Sequence, residues 1–290
     1  MLKEYCRRQI ELIDRALDGM LPQAYPPAIY EAMRYSLFAG GKRLRPILLM
    51  AAADAAGGDG RKYLHVAGGL EMIHTYSLIH DDLPAMDNDD YRRGKLTNHK
   101  VFGDGMAILA GDGLLTAAFE TMLAQPGVDP AALVTVVREV AVAAGAAGMV
   151  GGQAVDLQAA GREVDGETLR YMHRAKTGAL FRAAIRSGAV LAGAPGDKLA
   201  ALTEYAEQFG LAFQITDDIL DVTGDEAKIG KPVGSDEKNC KSTYVSLYSL
   251  AGARDMAAAA VSAALASLEG FGSEAAVLRE FVNYLLTRDS

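Results

Sequence analysis

The sequence predicts an all-α protein, and three observations support this prediction. Residues that favour helices dominate long stretches such as 131–147 and 251–268. Alternating segments rich in Val, Ile and Thr, which would indicate strands, are nearly absent. Short clusters of Gly, Pro and Asp separate about ten helical segments without any long linker. We therefore expect a single domain over residues 1–290, folded as a helical bundle that ligands approach from one end.

The same clusters predict where helices begin and end. Tyr25-Pro26-Pro27 marks the entry to one helix, and Asp129 is an N-cap residue before a proline suited to the first turn. Further breaks are expected at 57–60, 165–166, 195–196 and 270–273.

Composition and charge exclude several classes of function. The net charge of -8 argues against a nucleic-acid partner, because binding to a phosphate backbone needs a basic surface. Residues 1–13 mix charged and apolar side chains, unlike a signal peptide, and no stretch has the roughly 18 continuous apolar residues of a membrane span. Cys6 and Cys240 lack the spacing of a zinc site and indicate free thiols in a reducing compartment, so we expect a cytoplasmic protein.

The first acidic cluster contains Asp81, Asp82 and Asp87. It follows a segment, 65–77, whose apolar positions predict a mostly buried helix. Pro84 disfavours a helical conformation at the preceding residue and lacks a backbone donor, so the helix should end or distort here. Asp87 could then fold back towards Asp81.

The second acidic cluster contains Asp217, Asp218 and Asp221, at the end of another apolar segment. Asp217 and Asp221 share one helix face, and their mutual repulsion calls for a counterion. Hard carboxylate ligands suit Mg²⁺, which prefers a few carboxylates together with water and phosphate oxygens. A single Asp-rich stretch is as easily a solvated turn or a helix cap, but two of them in apolar settings favour a metal site.

Basic residues are also clustered. Lys42, Arg43 and Arg45 surround the turn Gly40-Gly41 and could bind an anion where the next helix begins, although a basic surface turn is the commoner explanation. Other cations near glycines or beside the acidic clusters are Arg92, Arg93, Lys95, Lys100, Lys176 and Lys231. Carboxylates and clustered cations in an acidic protein indicate a small polyanionic substrate.

Six strings, in one order along the chain, resemble the motif set of the trans-prenyl diphosphate synthases, or polyprenyl synthetases. They are 41–46 (GKRLRP), 77–93, 151–153 (GGQ), 176–178 (KTG), 213–221 (FQITDDILD) and 230–231 (GK). Asp81-Asp82 with four residues before Asp87, and 241–244 (KSTY), are similar to the bacterial and plastid branch, closest to bacterial-type farnesyl diphosphate synthases. The resemblance implies an isoprenoid synthase fold with a central cavity between two Asp-rich helix ends, and a homodimer that could use an apolar stripe at 108–122.

The resemblance also implies roles for individual residues. Two or three Mg²⁺ ions would be held by Asp81, Asp82, Asp87, Asp217, Asp218 and Asp221. The diphosphate of the allylic substrate would be bound by Arg92, Lys176 and Lys231, and isopentenyl diphosphate by Lys42, Arg45, His74 and Arg93. Thr177 and Gln214 match residues that line the reacting carbons.

The implied reaction joins isopentenyl diphosphate to dimethylallyl and then geranyl diphosphate. Tyr76, five positions before Asp81 and next to Ser77, matches the position where an aromatic residue stops the product at fifteen carbons. The tyrosine could instead pack between helices, and a twenty-carbon geranylgeranyl product is then the alternative.

Two other enzyme classes remain as alternatives. His80-Asp81 resembles the metal-binding doublet of helical phosphohydrolases, and a class I terpene cyclase would share the fold and the metal chemistry. Neither needs a second diphosphate site such as the one implied at Lys42, Arg45 and His74. A catalytically inactive regulatory subunit typically lacks one Asp motif, whereas both are present here.

Overall fold

The structure of the protein, a computed structural model, describes residues 2–224 and 242–288, and helices make up nearly all of its regular structure. The helices before residue 124 are α1 (Leu2–Met20), α2 (Pro27–Leu37), α3 (Leu44–Ala55), α4 (Leu64–Asp81), α5 (Asn98–Phe102) and α6 (Asp104–Leu123). Those after it are α7 (Pro130–Ala144), α8 (Met149–Ala159), α9 (Gly166–His173), α10 (Ala179–Leu191), α11 (Gly196–Thr223), α12 (Tyr244–Ser267) and α13 (Ala276–Leu285). The prediction of an all-α fold is confirmed.

Short elements join these helices. Turns of 3-10 helix occur at Gly60–Tyr63 and Ser273–Ala275, and a single turn of π-helix, Arg174–Gly178, links α9 to α10. The strands β1 (Tyr91–Arg92) and β2 (Lys95–Leu96) form an antiparallel pair in which Arg92 lies opposite Lys95.

Capping contacts confirm the helix start predicted at Asp129 and show that a helix also begins at the break predicted at 165–166. The Asp129 carboxylate accepts a hydrogen bond from the backbone N–H of Ala132 at 2.9 Å, and Asp165 accepts one from Thr168 at 2.7 Å. Each bond satisfies one of the backbone donors that the first turn of a helix leaves without a partner.

The core is one large apolar cluster in which α3 and α4 are surrounded by the other helices. Leu70, Ile73 and Ile79 of α4 are each at most 2% exposed. A smaller cluster around Leu169, Ile215 and Tyr244 joins α9, α11 and α12. Since α4 and α11 are anchored along most of their length, the acidic clusters near their C-termini are held by rigid helices.

Two stretches are long and apolar enough to cross a membrane by composition alone, Asp104–Leu123 and Pro130–Ala159. Each also supplies core residues: Leu114, Val136 and Val140 are at most 1% exposed. Because a core helix of a bundle shows the same composition, these stretches are weak evidence for a membrane span.

We expected the three cations of the Gly40-Gly41 turn to face an anion, but Arg43 points into the protein instead. Its side chain is 1% exposed, and its guanidinium donates to Asp14 of α1 and to Glu71 of α4, both at 2.8 Å. A third bond, to the Leu37 carbonyl at 2.7 Å, reaches the end of α2. Arg43 is therefore a structural cation that joins three helices.

We expect Arg43→Ala to lower the free energy of unfolding by about 3–5 kcal/mol, because Glu71 would remain buried without its counter-charge. Urea denaturation at pH 7 measures this loss. Arg61→Ala is the control: its ion pair with Asp59 is 70% exposed on the arginine side, so it should leave stability nearly unchanged. Equal effects of the two substitutions would contradict the structural role of Arg43.

Candidate active site

The first acidic cluster lies where α4 ends. The helix stops at Asp81, before Pro84, and the backbone N–H of Asp87 donates to the Asp81 carbonyl at 2.8 Å. The predicted fold-back of Asp87 towards Asp81 is therefore confirmed. It is a consequence of the proline, which prevents another turn of helix.

Burial raises the pKa of Asp81 to about 6. The neighbouring carboxylates Asp87 and Asp82 act in the same direction, whereas the cations Lys176 and Arg92 oppose the rise. The raised pKa means that the nearby cations do not fully offset the cost of burying the Asp81 charge. A bound cation would therefore stabilise the ionised form of Asp81.

Arg92 pairs with the second carboxylate of this cluster. Its Nε lies 2.6 and 2.8 Å from the two oxygens of Asp82, which is only 3% exposed, and its Nη2 lies 3.2 Å from Asp89. The β1–β2 pair holds Arg92 in this position. The ion pair with Asp82 therefore holds the Arg92 guanidinium beside the first acidic cluster.

Lys176 approaches the same cluster from the π-helical turn. Its Nζ lies 2.6 Å from the Asp156 carboxylate of α8, and a Cβ added at Gly152 would lie 2.3 Å from the Lys176 backbone nitrogen. The glycine thus allows α8 to pack directly against the turn that carries Lys176 and Thr177. π-helical turns are frequent at functional sites.

The second acidic cluster divides its carboxylates between two roles. The side chain of Asp217 is 59% exposed, on the same face of α11 as Asp221. Asp218, in contrast, is 4% exposed and accepts hydrogen bonds from the Tyr244 backbone N–H at 2.7 Å and from the Gln214 amide at 3.3 Å. Asp218 therefore ties α11 to the start of α12, a contact that the sequence did not predict.

Arg288 is a site residue that the sequence analysis missed. Its Nη2 donates to the Phe213 carbonyl at 3.0 Å, to Thr216 at 3.0 Å and to Asp217 at 3.3 Å, and its guanidinium covers the Phe213 ring. The pKa of Lys42 is lowered, first by the burial of Lys42 itself and then by the positive charge of Arg288. The residue thus places the C-terminal end of the described chain between the second acidic cluster and Lys42.

His74 lies beside the cations Arg45 and Arg93, and Lys42 belongs to the same glycine turn as Arg45. These four residues, Lys42, Arg45, His74 and Arg93, are here called the anion clasp. Burial is the main reason that the pKa of Arg45 is lowered to about 10; the Glu71 carboxylate opposes this shift, and the charge of Arg93 contributes to it. Burial, and then the charges of Arg45 and Arg93, hold the pKa of His74 well below its usual range. Positive charge is therefore concentrated here, as expected of a site that binds an anion.

The glycine turn gives the anion clasp its shape. Gly41 has a φ of +133°, and a Cβ added there would lie 2.6 Å from the Arg93 guanidinium carbon. Arg93 donates to the Gly40 carbonyl from a left-handed backbone conformation. A side chain at position 41 would therefore displace Arg93.

Tyr76 lies inside the bundle below Asp81. It is 6% exposed, and its ring meets the His80 imidazole edge-on at 5.6 Å between centroids. The His80 Nε2 in turn lies 3.0 Å from the Ile108 carbonyl of α6. Ser77 donates to the His74 carbonyl at 2.9 Å, so its hydroxyl is engaged with its own helix.

The carboxylates fit a magnesium site that a substrate completes. Within residues 2–224 and 242–288, no three acidic, histidine or cysteine side chains lie close enough to hold a metal by themselves. Asp81 and Asp217 nevertheless offer oxygen ligands, and Mg²⁺ commonly takes one or two carboxylates plus phosphate oxygens. The predicted ligand Lys231 of the allylic diphosphate lies outside the described residues.

Comparison with known proteins identifies the class of enzyme. The family model for polyprenyl synthetases matches residues 26–285. The chain belongs to the polyprenyl synthetase family and is a prenyltransferase.

Individual relatives agree with this assignment. Farnesyl diphosphate synthase of Geobacillus stearothermophilus is 47% identical, with 99% of this chain and 98% of the relative covered. Geranylgeranyl diphosphate synthase of Cyanophora paradoxa is 44% identical, with 100% and 97% covered. The solved structure of an FPP/GFPP synthase from Zymomonas mobilis, 40% identical, superposes with a TM-score of 0.89 over 98% of each chain.

We expect Asp81→Asn to raise the free energy of unfolding of the metal-free protein at pH 7 by about 2–3 kcal/mol, because the folded state then no longer buries this charge. The native pKa of about 6 lies above the ordinary value of 3.8, so the cost of the charge is complete above about pH 6. The gain should shrink as the pH falls from 6 and vanish below 3.8. Urea denaturation in EDTA across this range measures it.

Asp255→Asn, at an exposed position of α12, serves as the matched control and should leave stability nearly unchanged. A gain for Asp81→Asn that persists unchanged at low pH would show that it does not come from the buried charge.

Proposed function

We propose that the chain is a farnesyl diphosphate synthase that condenses isopentenyl diphosphate with dimethylallyl diphosphate and then with geranyl diphosphate. The observation that carries this proposal is the presence of two groups of cations, on different elements of the fold. One, Arg92 and Lys176, lies beside Asp81, and the other is the anion clasp. Two anion sites suit an enzyme that joins two diphosphates.

The site beside Asp81 suits the allylic diphosphate. Asp81, Asp87 and Asp217 would hold magnesium, which would stabilise the negative charge of the departing pyrophosphate. Arg92 and Lys176 are already fixed by Asp82 and Asp156, so they can face the leaving group without first being ordered.

The anion clasp suits isopentenyl diphosphate. Arg45 and Arg93 offer several N–H donors in a fixed geometry, which matches phosphate oxygens. With its pKa held well below 6.5, the His74 imidazole is neutral at pH 7 and binds by hydrogen bonding rather than by charge. The Arg45 guanidinium also lies over the Phe181 ring, 4.7 Å from its centroid, which fixes its direction.

The reaction needs no nucleophilic side chain. The allylic carbon–oxygen bond breaks, pyrophosphate leaves with the electron pair, and the double bond of isopentenyl diphosphate attacks the allylic cation. A carbon–carbon bond forms, and the new cation loses a proton to the released pyrophosphate. Thr177 and Gln214 would line this region and, with the apolar walls, would keep water from the cation.

The position of His80 speaks against a phosphohydrolase. A metal-binding His-Asp doublet needs both side chains on one ion, but the His80 Nε2 already contacts the Ile108 carbonyl of α6 at 3.0 Å. The anion clasp has no role in a hydrolase or in a terpene cyclase, because neither has a second diphosphate substrate.

The product is proposed to stop at fifteen carbons. Tyr76 is a buried aromatic residue below the first acidic cluster, above Ile73 and Leu70 on α4. The farnesyl diphosphate synthases of Geobacillus stearothermophilus and Bacillus subtilis are 47% and 46% identical to this chain. A geranylgeranyl product is the alternative, since relatives with that name are 44% identical.

The protein is further proposed to act as a cytoplasmic homodimer. Ile108, Leu109 and Leu123 of α6 are 45%, 55% and 57% exposed, and a second copy of this helix would cover them. Cys6 is a free thiol, as expected in a reducing compartment, and Cys240 lies outside the described residues.

Incubation with Mg²⁺, radiolabelled isopentenyl diphosphate and either allylic substrate tests the proposal. After phosphatase treatment we expect labelled farnesol. Labelled geranylgeraniol would retain the reaction but reject the fifteen-carbon limit, and the absence of any product that depends on both substrates would reject the synthase function.

We expect Tyr76→Ala to lengthen the product beyond fifteen carbons, because removal of the ring opens space below the first acidic cluster. Tyr76→Phe is the matched control and should keep the fifteen-carbon product, since it retains the ring and loses only the hydroxyl. Product lengths are compared by chromatography of the dephosphorylated alcohols. An unchanged product from Tyr76→Ala would remove Tyr76 from this role.

A further inference from the structure

A cavity of about 850 Å³ lies beside the middle of α11, where Gly210 and Leu211 line it. Its walls come from α7, α9, the π-helical turn, α10 and α11, with Tyr244 of α12 at one edge. None of the metal, diphosphate or chain-length residues proposed above lines it. Its volume lies within the range of small-molecule sites.

Part of the cavity wall is apolar. Val134 and Val142 of α7 line it together with Leu211 of α11. The two valines are 62% and 55% exposed, an unfavourable position for apolar side chains unless another apolar group covers them.

The remaining wall carries excess positive charge in a protein of net charge -8. Its lining contains four arginines and two glutamates: Arg138, Arg170, Arg174, Arg182, Glu139 and Glu207. Both glutamates are already paired, Glu139 with Arg186 at 2.7 Å and Glu207 with Arg182 at 3.1 Å. Arg138, Arg170 and Arg174 form no ion pair with any carboxylate of residues 2–224 and 242–288.

A buried polar atom also lines the cavity. The His173 Nδ1 has no hydrogen-bond partner within the described chain. Its ring lies 5.4 Å from that of Tyr244, whose hydroxyl lies beside Arg170. Because a buried polar atom without a partner is unfavourable, the His173 Nδ1 indicates a place for a polar ligand. Burial lowers the pKa of His173 to about 4, which leaves its imidazole neutral and able to accept a hydrogen bond.

We propose that this cavity binds an amphipathic organic phosphate. Its apolar body would cover Val134, Val142 and Leu211, and its head group would face the three arginines. A phosphate fits better than a carboxylate, because it brings up to two negative charges and three oxygens to guanidinium groups that each offer paired donors.

Calorimetric titration of the full chain with decyl phosphate tests this site. EDTA is included so that binding that depends on magnesium does not contribute. We expect saturable binding of one molecule per chain. Arg138→Gln and Arg174→Gln, both at exposed positions where the fold should tolerate them, should each weaken it by about tenfold. Arg61→Gln, outside the cavity, should bind like the unchanged protein.

Three further titrations decide which chemistry is recognised. Decanol and inorganic phosphate should each bind much more weakly than decyl phosphate, since each carries only half of the proposed ligand. Arg45→Gln, in the anion clasp, should leave the affinity unchanged. The proposal is overturned if decyl phosphate does not saturate, if either half binds equally well, if both cavity variants bind normally, or if Arg45→Gln abolishes binding.

Discussion

The buried guanidinium of Arg43 fixes the geometry on which the anion clasp depends. It binds Asp14 of α1, Glu71 of α4 and the last turn of α2, so three helices meet at one charge. Arg43 is also the residue before α3, in a left-handed conformation with φ of 49°. The backbone conformation at Arg43 therefore determines where Lys42, before it, and Arg45, after it, are placed. A different path of this loop would leave Glu71 buried without a counter-charge, at a cost of several kcal/mol.

The reacting region combines charges that the protein neutralises only in part. Three charges are offset by ion pairs. Asp82 pairs with Arg92, Lys176 with Asp156, and Asp217 with Arg288. Burial nevertheless raises the pKa of Asp81 to about 6 and lowers that of Arg45 to about 10, and both directions disfavour the charged forms. The proposed metal diphosphate would bring a cation to Asp81 and an anion to Arg45. The stability lost to these buried charges would then be recovered when substrates bind.

The sequence predicted structural features that depend on neighbouring residues, and it did not predict contacts between residues that are distant in the chain. Pro84 correctly predicted the end of α4, and the four-residue spacing of Asp217 and Asp221 correctly placed them on one helix face. Arg288 lies 71 residues from Asp217, and Tyr244 lies 26 residues from Asp218, so no local pattern connected either pair. The sequence places Arg43 in the anion-binding turn, because no residue near it in the chain indicates its ion pair with Glu71, 28 residues away.

The sequence by itself determined the helical class, the main helix starts and the order of the acidic and basic motifs. These follow from side-chain periodicity, capping and proline chemistry, which act within a few residues. Only the tertiary structure decided which cations face inward, that Asp218 is a buried connector, and that three arginines line a cavity that none of the proposed active-site residues lines. Burial and charge pairing depend on segments that meet only after the chain has folded, because a side chain's neighbours across the bundle are not its neighbours in sequence.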